Sequence, residues 1–366
     1  MYFYGKLVDT GRKHGPSDSA VRVVSLGSVA KLAVVLALIG CGDRAAERSA
    51  LAGAARTPSV AAAVAKRPLR IAYSDWTGWA ALEIGVQRGW FKKAGVAVEL
   101  TPSDSSSSLD AFSAGRVDAV MMTNGDALVA GAAGARSKMI LLTDYSNGSD
   151  KVVARPGIAS FKDLKGKRVG LELTLVDHLL FLKACEKNGM TAKDVELVNV
   201  PTSETPQALA AGDVAAIAVS YPLSAQALRF AAGAKPIFTS AELPGLIYGA
   251  AAVNPTSLAQ RRDDWVKFAK VWYWISDFIR DPKTRDQALA VMAAKIGASP
   301  EQYAAAMSGT YFLSLQEAKA RYTKSAGLDS LYGSTSVADH FNVEHKVYKD
   351  PQRVDDYVDP GIVASL

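Results

Sequence analysis

Carboxylates and indoles gather where short apolar runs of this chain end. Asp75, Trp76, Thr77 and Trp79 follow the run Leu69–Tyr73, and Asn124 and Asp126 follow Val117–Met122. Asp144 and Asp150 bracket the polar stretch DYSNGSD after Lys138–Thr143. Glu172 closes the run Arg168–Glu172, Asp177 and His178 open the next helical pattern, and Tyr221 follows Val214–Ser220. Asp75, Asp126, Asp144, Asp150, Glu172 and Asp177 thus stand at strand ends or helix starts, with no arginine or lysine among the favoured residues. A carboxylate taken out of water without a partner costs several kcal/mol. An amine, amidinium or guanidinium offsets that cost, and an indole face adds about 0.5–2 kcal/mol through cation–π contact. These residue types point to capture of a small nitrogen-containing molecule, a cation being the simplest case. Each has a plainer alternative. Asp126 and Asp177 suit helix capping, His178 a satisfied core or surface position, Glu172 a solvent-facing one, and Trp76 a shield over the sheet end.

Catalytic and metal chemistry find little support. There are two cysteines, Cys41 and Cys185, so neither a disulfide framework nor a cysteine metal site can be built. Cys185 falls in a helical pattern and reads as a small core residue. His14, His340 and His345 lie away from the loops named above, and no GxSxG, HExxH or phosphate-binding loop occurs. No cofactor and no metal are expected.

The elements that must carry these residues alternate. Leu69–Leu100 reads as strand, loop, helix and strand, with Ser74–Trp79 outside the carboxyl end of the first strand, where ligands gather in such units. The loops Pro102–Ser108, Thr123–Asp126 and Asp144–Asp150 fall at equivalent places. Strands at Lys151–Ala154, Arg168–Glu172, Glu196–Val200, Val214–Ser220 and Lys235–Thr239 repeat the alternation, which predicts an α/β fold with mostly parallel sheets flanked by helices. Leu109–Ala119 and Pro206–Ala216 share one layout, a helix stopped by glycine that feeds an apolar strand. Ala250–Val253 is placed to bring the chain back. Beyond it Trp265, Phe268, Ala269, Trp272, Ile275 and Ile279 recur at helical spacing and read as core packing.

The chain has 366 residues, 49% hydrophobic content and a formal net charge of +6. Setting aside the five basic and two acidic residues of positions 1–40 leaves 37 against 34. The basic balance sits largely at the amino end and makes no case for nucleic acid. There Lys31 precedes LAVVLALI and then Gly40-Cys41. A basic start, an apolar core and small residues before a cleavage point make a signal region, and the core is far shorter than the ~20 residues that span a bilayer. Leu38-Ile39-Gly40-Cys41 resembles a bacterial lipobox, which implies a lipid on Cys41 and removal of everything before it. Residues 1–20 are polar, and the true start is expected near Val21 or Val23. Alanine-rich 41–67 reads as a flexible tether.

Several stretches, GWAALEIGVQRGWFKKAGVAVEL, FSAGRVDAV, FKDLKGKRVG, KDVELVNV and ALAAGDVAAIAV, resemble together the solute-binding proteins of nitrate/sulfonate/taurine-type ABC importers. Each is weak alone; their order and spacing are specific. The resemblance runs from about Leu69 to the end. It implies a two-lobed periplasmic-binding-protein fold of type II with a two-segment hinge, placed near Lys151–Ala154 and Gly249–Val253. Lobe I would be 68–151 with 250–366, and lobe II 152–249. It implies a monomer that traps a small molecule in the cleft and delivers it to an ABC permease and its ATPase from a membrane-anchored position outside the cytoplasm. Sulfonate or nitrate would want amide donors, hydroxyls or cations in the cleft, whereas the loops are acidic; taurine, with both charges, stays compatible. The rivals are an enzyme of the thiamine-pyrimidine-synthase-like branch, whose histidine and cysteine-rich motif have no match here, and a ligand-sensing lipoprotein. A regulator's effector domain would need a helix-turn-helix arm where this chain carries a signal.

Overall fold

The structure is a computed structural model and describes residues 67–74 and 76–366. The expected signal region 1–40, Cys41, all but the last residue of the tether 41–67, and Asp75 lie outside the described residues. Among the described residues no helix is long and apolar enough to cross a membrane.

Two sheets organise the chain. The first takes Leu69–Tyr73 (β1), Val98–Pro102 (β2), Ala119–Thr123 (β3) and Lys138–Ser146 (β4). The second takes Lys151–Ala154 (β5), Arg168–Leu171 (β6), Glu196–Asn199 (β7), Ala216–Val219 (β8) and Lys235–Thr239 (β9). The chain then returns to the first sheet with Tyr248–Val253 (β10) and Thr310–Phe312 (β11). The order is β11-β4-β10-β3-β1-β2 in the first sheet and β7-β6-β8-β5-β9 in the second. β1 pairs in parallel with β2 and β3, while β10 is wedged antiparallel between β3 and β4. β6 likewise pairs in parallel with β7 and β8, while β5 is wedged antiparallel between β8 and β9. In both, four strands share one direction and the strand that has crossed from the other sheet runs against them; in the first sheet the edge strand β11, antiparallel to β4, runs with β10. The sheets are therefore mixed, with a parallel majority.

The shared layout seen in the sequence falls at matching places. The helix Ser105–Ser113 and Gly115 feed β3, and the helix Thr205–Ala211 and Gly212 feed β8; each strand is the inner neighbour of its sheet's first parallel strand. Gly115 and Gly212 have φ of +68° and +90°, left-handed values that glycine adopts without a Cβ penalty.

Burial follows the strand period. Along β8, Ala216 and Ala218 face the main core, while Ile217 and Val219 join a second cluster with Val153, Leu209 and Val214. A sheet covered on both faces reads as a continuous apolar run, which is why β8 shows no polar alternation. The helix Arg262–Arg280 lays Trp265, Phe268, Trp272 and Ile275 fully buried into the main core, as its spacing predicts. Cys185 is buried in the helix Val176–Lys187, and burial pushes its thiol up to about 12, far from a nucleophile's range.

Two segments cross between the sheets, 147–150 after β4 and 240–247 before β10. Lys151–Ala154 and Gly249–Val253, expected at the hinge, are interior strand paired on both sides; the crossings lie just ahead of each. The second crossing is threaded tightly. Gly245 has φ +83°, and a Cβ there would strike the Leu328 carbonyl oxygen and come within 2.8 Å of the Tyr248 hydroxyl. Gly166 shares the left-handed backbone, φ +70°, with open space around it. Gly166→Ala is expected to cost about 1 kcal/mol, and Gly245→Ala at least about 1 kcal/mol more because backbone must move. Urea unfolding of the two variants measures the difference; equal losses would remove the close approach from the account.

Candidate functional site

The carboxyl ends of β1, β3, β6 and β8 and the amino ends of β5 and β10 converge on one cavity of about 130 Å³. From the first sheet its wall takes Ser74, Trp76, Trp79, Thr123 and Asp126, and the returning strand adds Ile247 and Gly249. The other wall is Asp150, Val176, Ser220 and Tyr221. Of the residues expected in the site, Trp76, Trp79, Asp126, Asp150 and Tyr221 line this cavity.

The turn after β1 is held from behind. Trp76 Nε1 donates to Asp144 Oδ1 at 3.0 Å, and Thr143 Oγ1 donates to Asp144 Oδ2 at 2.7 Å. Two glycines make room for this carboxylate. A Cβ on Gly78 would sit 2.6 Å from Asp144 Oδ2, and one on Gly249 would lie 3.0 Å from the same oxygen. Trp79 packs against Trp76 with ring centroids 6.4 Å apart and planes tilted by 57°. Thr77 does not reach the cavity. It is buried beneath the turn, and its carbonyl accepts from the Tyr303 hydroxyl of the helix Pro300–Met307.

Asp144 likewise serves as a support. Expected in a loop, it lies within β4, which runs on to Ser146 because β10 and β11 pair with its far end. Burial pushes its carboxyl up to about 6 against the donors Thr143 and Trp76, and Asp150 adds a like charge.

Asp126 closes a capping box at the start of the helix Asn124–Ala132: its N–H donates to Thr123 Oγ1 at 3.1 Å, and its Oδ2 accepts the Thr123 N–H at 3.3 Å. It caps a helix and lines the cavity at once. Burial pushes its carboxyl up, and the Thr123 contacts oppose the shift. Asp150 ends the first crossing segment. It accepts from the Ser146 hydroxyl, which lies 2.6 Å from Ser240 Oγ on the second crossing. Burial pushes Asp150 up, while Ser146 and Lys151 hold it back. Asp177 stands one layer behind Asp150, and burial together with the Asp150 charge pushes it well above the usual carboxylate range.

Three expected contacts are fasteners elsewhere. Asn124 is buried and spent: its Oδ1 accepts the Tyr248 N–H at 3.0 Å, and its Nδ2 donates to Ser334 Oγ at 3.0 Å and Thr335 Oγ1 at 3.3 Å, tying β10 to the helix Leu331–Glu344. Glu172 Oε2 accepts the Thr202 N–H at 2.8 Å and the Thr202 hydroxyl, so it caps the turn Thr202–Glu204. His178 packs edge-on against Phe341 and His345, with centroids 5.2 and 5.0 Å away, and its Nδ1 accepts the Thr174 N–H. Burial pushes its pKa down to about 4, so the ring is neutral.

Ser220, Val176, Ile247 and Gly249 escaped the sequence reading. Ser220 and Val176 sit one residue from Tyr221 and Asp177, within reach of the rule that found those. Ile247 and Gly249 were invisible to it, because an antiparallel strand offers its amino end to the edge where its neighbours offer their carboxyl ends.

Among the described residues none that lines the cavity is basic. Asp126 and Asp150 face it, Asp144 and Asp177 stand behind, and two indoles and a phenol complete the polar wall. Among the described residues no group of three or more His, Cys, Asp or Glu side chains is arranged to hold a metal ion. The site can bind; its chemistry favours positive charge and aromatic contact.

Comparison with known proteins agrees with the architecture. A periplasmic aliphatic sulphonate binding protein of Escherichia coli superposes with a TM-score of 0.66 at 15% identity, covering 79% of this chain and 91% of that one. A sulfonate transporter's periplasmic protein of Methylobacillus flagellatus reaches 0.67 at 17% identity, covering 82% and 93%. A desulfurization enzyme also shares the fold, with a TM-score of 0.59 at 16% identity, covering 82% and 98%. Such likenesses show the two-lobed periplasmic-binding fold, which hosts binding and catalysis alike. In sequence, proteins of Brucella abortus and Brucella suis named as candidate binding proteins are 30% identical over 168 residues. That stretch is 45% of this chain and 51% of theirs, so the chain spans about half the length of the curated relatives it matches. Residues 62–293, well over half of the chain, match the profile of one family. The motif resemblance to nitrate/sulfonate/taurine-type solute-binding proteins holds at this level, and the chain belongs to the NMT1-like family.

Proposed function

We propose that this protein is the solute-binding receptor of an ABC importer outside the cytoplasm, and that it captures a small nitrogen-containing cation. A lipid on Cys41 would hold it, as a monomer, near the permease and ATPase it serves. The observation that carries the ligand assignment is the charge of the cavity. The carboxyl groups of Asp126 and Asp150 line it, those of Asp144 and Asp177 lie close to Asp150, and among the described residues no basic side chain lines it to pair with them. Its volume, about 130 Å³, is well below the several hundred Å³ of a drug-sized site and suits a molecule of few atoms. An anion such as a sulfonate or nitrate would add a like charge to this set, although structural relatives are titled as sulfonate binders. Both walls contribute, so a ligand touching Trp76 and Asp126 on one side and Asp150 and Tyr221 on the other favours their approach by its extra affinity for the closed arrangement. On this reading the lobes are 68–146 with 248–366 and 151–239, a few residues from the limits expected from sequence, and the crossings 147–150 and 240–247 are the hinge.

The enzyme reading draws on the desulfurization enzyme that shares the fold. Against it, Cys185 is buried outside the cavity and His178 lies neutral outside it. Binding without turnover separates receptor from enzyme.

A thermal-shift screen with amines, amidines, guanidines, ureas, taurine, other sulfonates, nitrate and pyrimidines tests the assignment. Cations are expected to raise the unfolding temperature and anions to leave it unchanged; selective stabilisation by sulfonate or nitrate would overturn the cation. Asp126→Asn keeps an oxygen for the Thr123 N–H and is expected to weaken cation binding tenfold or more by calorimetry. Glu172→Gln, whose carboxylate serves Thr202, is expected to change it less than threefold.

The same excess of carboxyl groups sets a pH dependence in the empty protein. The Asp144 carboxyl titrates near 6 in the fold against 3.8 ordinarily, so between those values the folded state holds more protons than the unfolded chain. Its contribution is present below about pH 4 and lost as pH rises through 6, on the order of 3 kcal/mol at full extent. Urea unfolding at several pH values is expected to show a loss between about pH 4 and 6 that is smaller by this amount in Asp144→Asn than in the wild type, Asp126, Asp150 and Asp177 supplying the remainder. Parallel curves would remove the buried ionisation from the account.

A further inference from the structure

Asp177 is 7% exposed, and its Oδ1 has no hydrogen-bond partner among the described residues. It stands in the first turn of the helix Val176–Lys187, on the side of the second sheet. Its close neighbour is another carboxylate, Asp150, which is 1% exposed and forms part of the cavity wall. Asp150 already takes the Ser146 hydroxyl and feels the charge of Lys151, whose ammonium donates to the Gly148 and Ser149 carbonyls. What lies within hydrogen-bonding reach of the Asp177 side chain is the Asp150 carboxyl itself.

The other charged groups around the pair deepen the conflict. Asp126 acts on Asp177 from the first sheet and Glu172 from the loop after β6, while Asp150 acts in turn on Asp144 within β4. His178, next to Asp177 in the chain, is neutral: its Nδ1 is occupied by the Thr174 N–H, and it faces His345. Two ionised carboxylates accept and cannot donate. Held together out of water, with the Lys151 ammonium acting on Asp150 alone, they are relieved by one proton between them, and the pair titrates as a unit.

We infer that the Asp150–Asp177 pair holds a proton in the empty cleft and surrenders it when a cationic ligand enters, so that capture and proton release are one event. This rests on the cation reading above and adds a requirement to it. The balance is simple: one positive charge enters beside Asp150, one proton leaves the pair for solvent, and no covalent bond other than that O–H is broken. Ligand and proton compete for the same negative charge. Affinity therefore rises with pH, approaching tenfold per unit, while the empty pair is protonated, and levels off once the empty pair has lost its proton. The pair also joins the crossing segment to the helix of the second sheet, so the exchange occurs where the two sheets are linked.

Titration calorimetry with acetamidinium chloride, whose own charge is constant over the range, tests this between about pH 5 and 8. At each pH the heat is measured in two buffers of unlike ionisation enthalpy, and the difference counts protons released. Release is expected to approach one proton per ligand on the rising limb and to vanish on the plateau. Asp177→Asn supplies an amide that donates permanently to Asp150. It is expected to bind with flat pH dependence and no buffer-dependent heat. The wild-type buffer series decides the matter even if the variant fails to fold. Acetamidinium binding with no buffer-dependent heat at any pH overturns the exchange and leaves the cation reading standing. No binding of acetamidinium or any other cation in the screen overturns both.

Discussion

Negative charge held out of water governs this cleft. Asp144 and Asp150 are nearly or fully buried, Asp177 is 7% exposed, and Asp126 is half-buried in the cavity wall. Each carboxylate so placed costs several kcal/mol unless donors or cations meet it. The protein meets that cost only in part: Thr143 and Trp76 serve Asp144, Thr123 serves Asp126, Ser146 serves Asp150, and Asp177 Oδ1 has no partner among the described residues. Basic residues are not scarce in the chain, which carries 42 lysines and arginines. Arg70, for instance, meets Asp118 at 2.9 Å at the opposite end of β1 and β3. The lack of a cation in the cavity wall is thus local, and the remaining cost is available to a ligand.

The first sheet turns that cost into geometry. Asp144 binds the Trp76 indole N–H, and the backbone closes around the pair only because Gly78 and Gly249 have no side chains. One buried acid therefore fixes the ring that faces the cavity, while the tightness of its seat fixes the acid. Hydrogen bonds to an ionised acceptor are about twice as strong as neutral ones. The same contact that orients Trp76 also moderates the burial of Asp144.

Alternation of apolar runs and turn residues made the α/β class legible, and strand-end logic led to Trp76, Trp79, Asp126, Asp150 and Tyr221. What sequence could not show was which side chains are spent. Asn124, Glu172 and His178 occupy positions as favourable as the others, yet each meets a partner remote in the chain: Ser334 and Thr335, Thr202, and Phe341 with His345. Local pattern ends the strand at Thr143, before the polar stretch that opens with Asp144, and pairing with β10 and β11 carries it on to Ser146 although acids disfavour strands. The antiparallel wedge of β10, which brings Ile247 and Gly249 to the site, is a long-range pairing that local pattern does not encode.

Connectivity gives the acid pair its leverage. Asp150 ends one crossing, and through the Ser146 hydroxyl it reaches Ser240 at the start of the other; the Ser240 N–H in turn donates to the Asp150 carbonyl at 2.9 Å, and Ser240 Oγ accepts the Gly148 N–H at 2.7 Å. Both links between the sheets are thus tied into one hydrogen-bonded knot with a carboxylate at its centre. A change in charge at that carboxylate acts on the segments that must bend if the sheets approach, without passing through either core. A ligand that bound the first sheet alone would leave the knot untouched. One that neutralises Asp150 would alter the Ser146 contact within this knot, the kind of differential interaction that the proposed closing motion requires.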